Sequence, residues 1–184
     1  MDPLWAQLLN SDWHDHVGSG RRADRLDDDR WLAGFLGCAG WRGRRLPPPE
    51  GRERLRALRE VLRRAVDALR AGASPSGRDV AALNRLLVSC PAVRRLERRA
   101  GGRLALVLDP VPAGIEGVLG TVAASFAELL ANGDPTRIKV CANPDCAWVM
   151  LDESRNRTRR WCEASVCGSL VKVRRLRARR RRLA

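Results

Sequence analysis

The sequence has little lysine and no long apolar run. Of its 35 cationic side chains only Lys139 and Lys172 are lysine, and the rest are arginine. A chain-wide arginine bias follows genome composition as readily as function, so the formal net charge of +14 does not by itself identify a polyanionic partner. The longest apolar stretch, from Val111 to Ala131, is broken by Glu116, Glu128 and several glycines, which excludes a membrane-spanning helix. The N-terminus has neither the basic n-region nor the apolar h-region of a secretory signal, so a soluble cytoplasmic protein with no membrane partner is expected. Its six cysteines then read as thiols or metal ligands rather than disulfides. No phosphate loop ending in Gly-Lys-Ser/Thr, no His-Glu-x-x-His and no Gly-x-Ser-x-Gly is present, and Gly18-Ser19-Gly20 lacks the third glycine of a dinucleotide fingerprint. The expectation is a protein that is not an enzyme.

What is present is 184 residues, 45% of them hydrophobic, enough for one core with a small accessory module. The charge is uneven. Residues 1–136 hold 21 cations and 17 anions, whereas residues 137–184 hold 14 and 4. The shift after Pro135 divides the chain into a domain over 1–135 and a module over 136–184.

Hydrophobic spacing makes the first part mainly helical. Leu4, Trp5, Leu8 and Leu9 fit a short helix, and Asp27-Asp28-Asp29 offers capping carboxylates before Trp31, Leu32, Phe35 and Leu36. After Pro47-Pro48-Pro49, Leu55, Leu58, Leu62, Ala65 and Leu69 repeat at 3-4-3-4 spacing over residues 50–71. That stripe serves a core or pairing between two chains, so a homodimer is left open. Ser74 or Ser76 starts the next helix, which Pro91 ends. Residues 93–96 and 103–108 flank Arg99-Ala100-Gly101-Gly102 and predict a β-hairpin. A final long helix carries Ile115, Val118, Leu119, Val122, Phe126, Leu129 and Leu130. Cys38 and Cys90 fall on apolar helix faces and read as buried hydrophobes.

Beyond Pro135 stand Cys141, Cys146, Cys162 and Cys167, two pairs each with four intervening residues. Short cysteine loops deliver soft ligands two at a time to a tetrahedral Zn²⁺. The alternatives are reduced core thiols or two disulfides, but the segment has too few apolar residues to fold without a staple. A knuckle, a hairpin and a ligand-bearing helix predict a treble-clef-like, four-cysteine zinc finger with one structural zinc and no open coordination position. The expected fold class is mainly α with small β-hairpins.

Cys141-Ala-Asn-Pro-Asp-Cys146, Leu151-Asp152-Glu153-Ser154-Arg155, Arg159-Arg160-Trp161-Cys162 and Cys167-Gly168 before a basic tail resemble the CGNR zinc finger. The preceding region resembles the helical ABATE domain usually fused to it, through Asn10-Ser11-Asp12-Trp13-His14-Asp15, Asp29-Arg30-Trp31-Leu32 and Leu83-Asn84-Arg85-Leu86. The resemblance covers nearly the whole chain. It implies zinc held by Cys141, Cys146, Cys162 and Cys167, and a bacterial-type, stress-responsive transcription regulator that binds DNA. The sequence departs from the motif that names the finger: Cys167-Gly168 continues as Ser169-Leu170, without the usual Asn and Arg.

Lys172 to Arg182 carries eight cations in eleven residues, behind a second cluster ahead of Cys162. Candidate nucleic-acid contacts, with duplex DNA the expected partner, are Arg155, Arg157, Arg159, Arg160, Lys172, Arg174, Arg175, Arg177 and Arg179. The competing reading of the tail is a solvated, frayed helix. His14 and His16, beside Asp12 and Asp15, are either surface histidines or metal ligands. Asn10, Asp12, Trp13 and Trp31 either line a pocket for a small-molecule effector or fill the core. The function expected is a zinc-containing DNA-binding regulator; the alternative is an RNA- or protein-binding adaptor.

Overall fold

The computed structural model describes residues 2–111 and 113–183. In chain order the elements are α1 (Leu4–Leu9), β1 (Asp12–His14), β2 (Arg22–Asp24), α2 (Asp29–Cys38), α3 (Pro49–Arg70), α4 (Gly77–Ser89), β3 (Ala92–Arg98), β4 (Leu104–Pro110), α5 (Ile115–Asn132), β5 (Ile138–Val140), β6 (Val149–Leu151) and α6 (Ser169–Leu183). The strands form three separate antiparallel pairs, β1–β2, β3–β4 and β5–β6. A mainly α fold with small hairpins is what the sequence predicts.

Two of the helices, α2 and α4, begin where a side chain supplies an acceptor for their free N–H groups. Asp28 accepts from the amides of Arg30 and Trp31 at 2.9 and 3.1 Å and caps α2. Ser76 accepts from the Asp79 amide at 3.1 Å and its hydroxyl donates back to the Asp79 carboxylate at 2.6 Å, so each residue holds the other at the start of α4. On α3, Leu55, Leu58, Leu62 and Ala65 are buried against α1, α4 and α5. The stripe is therefore consumed inside one chain and is not free to pair with another. Trp5 and Phe126 meet near the centre of this core, ring centroids 5.5 Å apart.

The structure corrects one cysteine reading, keeps the other and adds a hairpin. Cys38 is exposed, because α2 turns Leu32, Phe35 and Leu36 inward and position 38 lies off that stripe. Cys90 is buried as expected, and its side chain occupies the space that a Cβ at Gly120 of α5 would need. Residues 12–24 form a hairpin in which Asp12, Trp13 and His14 pair with Asp24, Ala23 and Arg22. Its turn is closed by Asp15, whose carboxylate accepts from the amides of Val17 and Ser19 at 3.0 and 2.8 Å. A hydrogen bond from the Ser19 side chain, followed by these two amides, holds the Asp15 carboxyl at about 2.

The β3–β4 hairpin is found where periodicity places it, but the core does not take its leucines. Leu96 lies opposite Leu106, Arg98 opposite Leu104 and Arg94 opposite Leu108, so these side chains share one face. Leu96 and Leu106 are 62% and 66% exposed. No helix among the described residues is long and apolar enough to cross a membrane. Ile138 of β5 and Val149 of β6 belong to the same buried cluster as α1–α5, so the apolar core crosses the compositional boundary at Pro135.

Candidate metal centre and nucleic-acid interface

The first cysteine pair lies in the connection between β5 and β6. The Cys141 amide donates to the Trp148 carbonyl at 2.8 Å and the Cys146 amide to the Asn143 carbonyl at 3.0 Å, which folds residues 141–146 into a tight knuckle. Asn143 is fully buried within it, and its Nδ2 donates to the His16 carbonyl at 2.8 Å and to Cys167 Sγ at 3.5 Å. One side chain thus ties the knuckle, the β1–β2 turn and the second cysteine pair together. Asp152, also buried, accepts from the amides of Ser154 and Arg159 at 3.0 Å each. That shapes the loop that returns to Cys162. A tight turn over Ala164–Gly168 carries Cys167 into α6.

The sulfurs of Cys141, Cys146, Cys162 and Cys167 all lie within 4.8 Å of one another. Cys146 and Cys162 are 3.6 Å apart and Cys162 and Cys167 3.5 Å. Four ligands at ~2.3 Å from one tetrahedral ion require sulfur separations of roughly 3.8 Å, so the residues present fit a zinc ion closely. Electrostatics points the same way. A hydrogen bond from Cys162 draws the Cys146 thiol down to about 5. The same contact pushes Cys162 up, and burial raises Cys167 to about 11. The Cys146 thiol is thus favoured as thiolate at the expense of Cys162, and a dication held here would stabilise the thiolate form of its ligands. Among the described residues this is the one cluster that can hold a metal. His14 and His16 line a cleft beside it but lie outside the ligand set, and His14 Nε2 approaches Asp12 at 3.4 Å instead.

The structure sorts the nine basic candidates into two groups. Arg174 bonds the Asp145 carboxylate and the Val17 carbonyl, at 2.5 Å each, and so fastens α6 to the knuckle and the β1–β2 turn. Gly18, at φ +84°, allows that approach, since a Cβ there would stand 2.8 Å from the Arg174 guanidinium. Arg157 pairs with Asp134 at 3.0 Å, and Arg159 donates to the carbonyls of Trp161 and Cys162. These three have structural duties. Arg155, Lys172, Arg175, Arg177 and Arg179 are exposed and meet no carboxylate among the described residues, and Arg160 lies over the Trp161 ring at 5.3 Å.

Of the pocket candidates, Asn10 and Trp31 line a cleft of about 610 Å³ between α1, α2 and Trp148. Trp13 stands behind it under the Arg25 guanidinium. Asp12 does not reach it and faces Arg63 at 3.2 Å. Nothing in the sequence warns that Asn10 is spent on the backbone of Val149, or that Arg59 is buried in a two-pronged pair with Asp24 at 2.7 and 2.8 Å. Neither partner is near in sequence, and the stretch that begins at Asn10 gives no sign of a partner 139 residues away. Asn143 and Asp152 do stand within the finger motif, where an amide or carboxylate between cysteines is a readable signal for turn closure.

Four clustered cysteines followed by a basic helix, packed on a helical body, have the arrangement of a zinc finger joined to a helical domain. Residues 137–180 match the CGNR zinc finger, and residues 2–133 match ABATE, described as "Putative stress-induced transcription regulator". The chain belongs to the ABATE family. No curated protein matches it.

Proposed function

We propose that the chain is a cytoplasmic, non-catalytic, DNA-binding transcription regulator in which one structural Zn²⁺, held by Cys141, Cys146, Cys162 and Cys167, orders an arginine-rich helix against phosphates. The working division is a helical domain over 1–135, which senses a small-molecule or stress signal, and a finger over 136–184. The observation that carries this reading is the row of exposed, carboxylate-free cations Lys172, Arg175, Arg177 and Arg179 on α6, joined by Arg155 and Arg160. Such a row repels itself in water and is stabilised by releasing counterions from a duplex. Ser169 and Leu170 replace the Asn and Arg of the usual motif, so phosphate contacts fall to the remaining arginines.

The test is fluorescence anisotropy with mixed-sequence duplex across a salt series. Four phosphate contacts give a slope of log K against log salt of roughly −3.6. Replacing Arg175, Arg177 and Arg179 with glutamine flattens that slope by roughly 2.7. Absence of binding at low salt, with the metal in place, removes the DNA reading. Preference for single-stranded RNA at matched salt selects the adaptor reading instead.

We assign pairing of two copies to the exposed leucine face of the β3–β4 hairpin, in place of the α3 stripe that the core has used. A two-stranded hairpin is marginal alone. The face of Leu96, Leu104, Leu106 and Leu108, each more than half exposed and flanked by the stems of Arg94 and Arg98, is the apolar surface that a second copy would cover.

A further inference from the structure

The chain has eight aromatic side chains, six Trp and two Phe; three of them line one cleft and Trp13 stands behind it. Trp31 and Phe35 of α2 stack face to face, centroids 5.4 Å apart and planes 7° from parallel, and form one wall. Trp148, from the finger, forms another. Between them stands Arg25, whose guanidinium carbon lies 5.7 Å from the Trp13 ring and 5.8 Å from the Trp148 ring. The two indoles hold the fork in place without taking its hydrogen bonds.

Arg25 is half-buried and has no carboxylate within ion-pair distance among the described residues. Burial lowers its pKa, which marks a desolvated cation that would gain from an anion. Asp28, which shares the lining and acts on Arg25 through its charge, accepts from the first amides of α2 through Oδ1 and makes no ion pair with Arg25. Arg30, also on the rim, is exposed and likewise unpaired, so the cleft keeps a net positive charge. At about 610 Å³ it falls in the size range of small-molecule sites.

We propose that this cleft binds a planar aromatic carboxylate, its carboxylate held by the Arg25 fork and its ring laid between Trp31 and Trp148. A guanidinium fork matches two carboxylate oxygens in one plane, and stacked aromatic walls accept a flat ring better than a puckered one. Because Arg25 and Trp31 belong to the helical domain and Trp148 to the finger, the occupied cleft bridges the two. This inference rests on the sensor role given above to the helical domain and supplies its ligand class.

Isothermal titration calorimetry on the full-length, zinc-loaded chain tests it, with 2-naphthoate as the probe. Two comparison compounds remove one property each: 2-naphthamide lacks the charge, and cyclohexanecarboxylate lacks the flat ring. Both should bind at least about tenfold more weakly than 2-naphthoate. Arg25→Gln should weaken 2-naphthoate by at least about tenfold at unchanged zinc content. Arg25→Lys, which keeps a cation against the indoles but loses the fork, should fall between, and it serves if the glutamine variant does not fold. No heat with 2-naphthoate, equal binding of 2-naphthamide, or full binding by both Arg25 variants overturns the proposal. No DNA is present, so a negative result here leaves the salt-dependent binding of duplex standing.

Discussion

Asn10 and Val149, 139 residues apart, hydrogen-bond each other twice: Asn10 Nδ2 donates to the Val149 carbonyl and Asn10 Oδ1 accepts from the Val149 amide, both at 2.8 Å. The side-chain amide, at the end of α1, stands in for one residue of a strand neighbour to β6. The finger is thereby stitched to the helical domain through a site that is buried on both sides. Asn10→Ala leaves a buried N–H and a buried C=O without partners, a loss of about 2–4 kcal/mol. The thermal midpoint should fall by roughly 5–12 °C. A midpoint within a degree of the parent would mean that the joint contributes nothing to stability.

Cys162 is the least buried ligand of the four and lies within 3.6 Å of two other sulfurs. Cys162→Ser should release the metal, measured by elemental analysis of the dialysed protein. It should also lower the thermal stability of the finger, because metal binding contributes on the order of 10 kcal/mol to modules of this size. Full retention of metal by that variant would refute the ligand assignment. Cys38→Ser, at an exposed position away from the centre, should leave metal content unchanged.

The pair between Asp24 and Arg59, reinforced by Arg56, predicts how the fold meets acid. Burial works against the Asp24 carboxylate, but hydrogen bonds from Arg59 and Arg56 outweigh it and hold the group well below the ordinary range. An unfolded aspartate titrates near ~3.9, so the pair's full contribution is present above that value and is lost as pH falls toward the folded pKa. Asp15 titrates in the same sense. Asp24→Asn should therefore be less stable than the parent at neutral pH, and the gap should narrow steadily as pH falls below about 4. Denaturant titrations of both proteins at each pH measure it, and metal loss in acid is common to both. A gap that does not change with pH would show that the pair is not ionised in the fold.

The hairpin surface makes a prediction about mass. Light scattering behind size exclusion should give twice the 20.4 kDa of the chain for the parent. Leu106→Glu, at a position 66% exposed in the single chain, should return the mass to one copy without altering helicity. A parent that stays single at tens of micromolar, or a pair that survives the substitution, would discard this surface.

Short-range rules were enough to specify the helices, the caps of α2 and α4, the β3–β4 hairpin and the two cysteine pairs that the fold gathers into one cluster. Those rules are apolar spacing, a capping Asp28 or Ser76, and two cysteine loops whose geometry is set within six residues. The basic tail was legible in the same way. Which cations are free and which are spent was settled by packing, since Arg174 and Asp145 are 29 positions apart and Arg157 and Asp134 are 23. The same holds for the face of α3 that looked available for pairing, the leucines of the hairpin that the core leaves in water, and the second use of Asn10. Local pattern records what a residue can do with its neighbours along the chain. Whether a guanidinium finds a carboxylate, or a leucine finds a core, depends on which distant segments packing brings within a few ångströms, and no spacing rule carries that information.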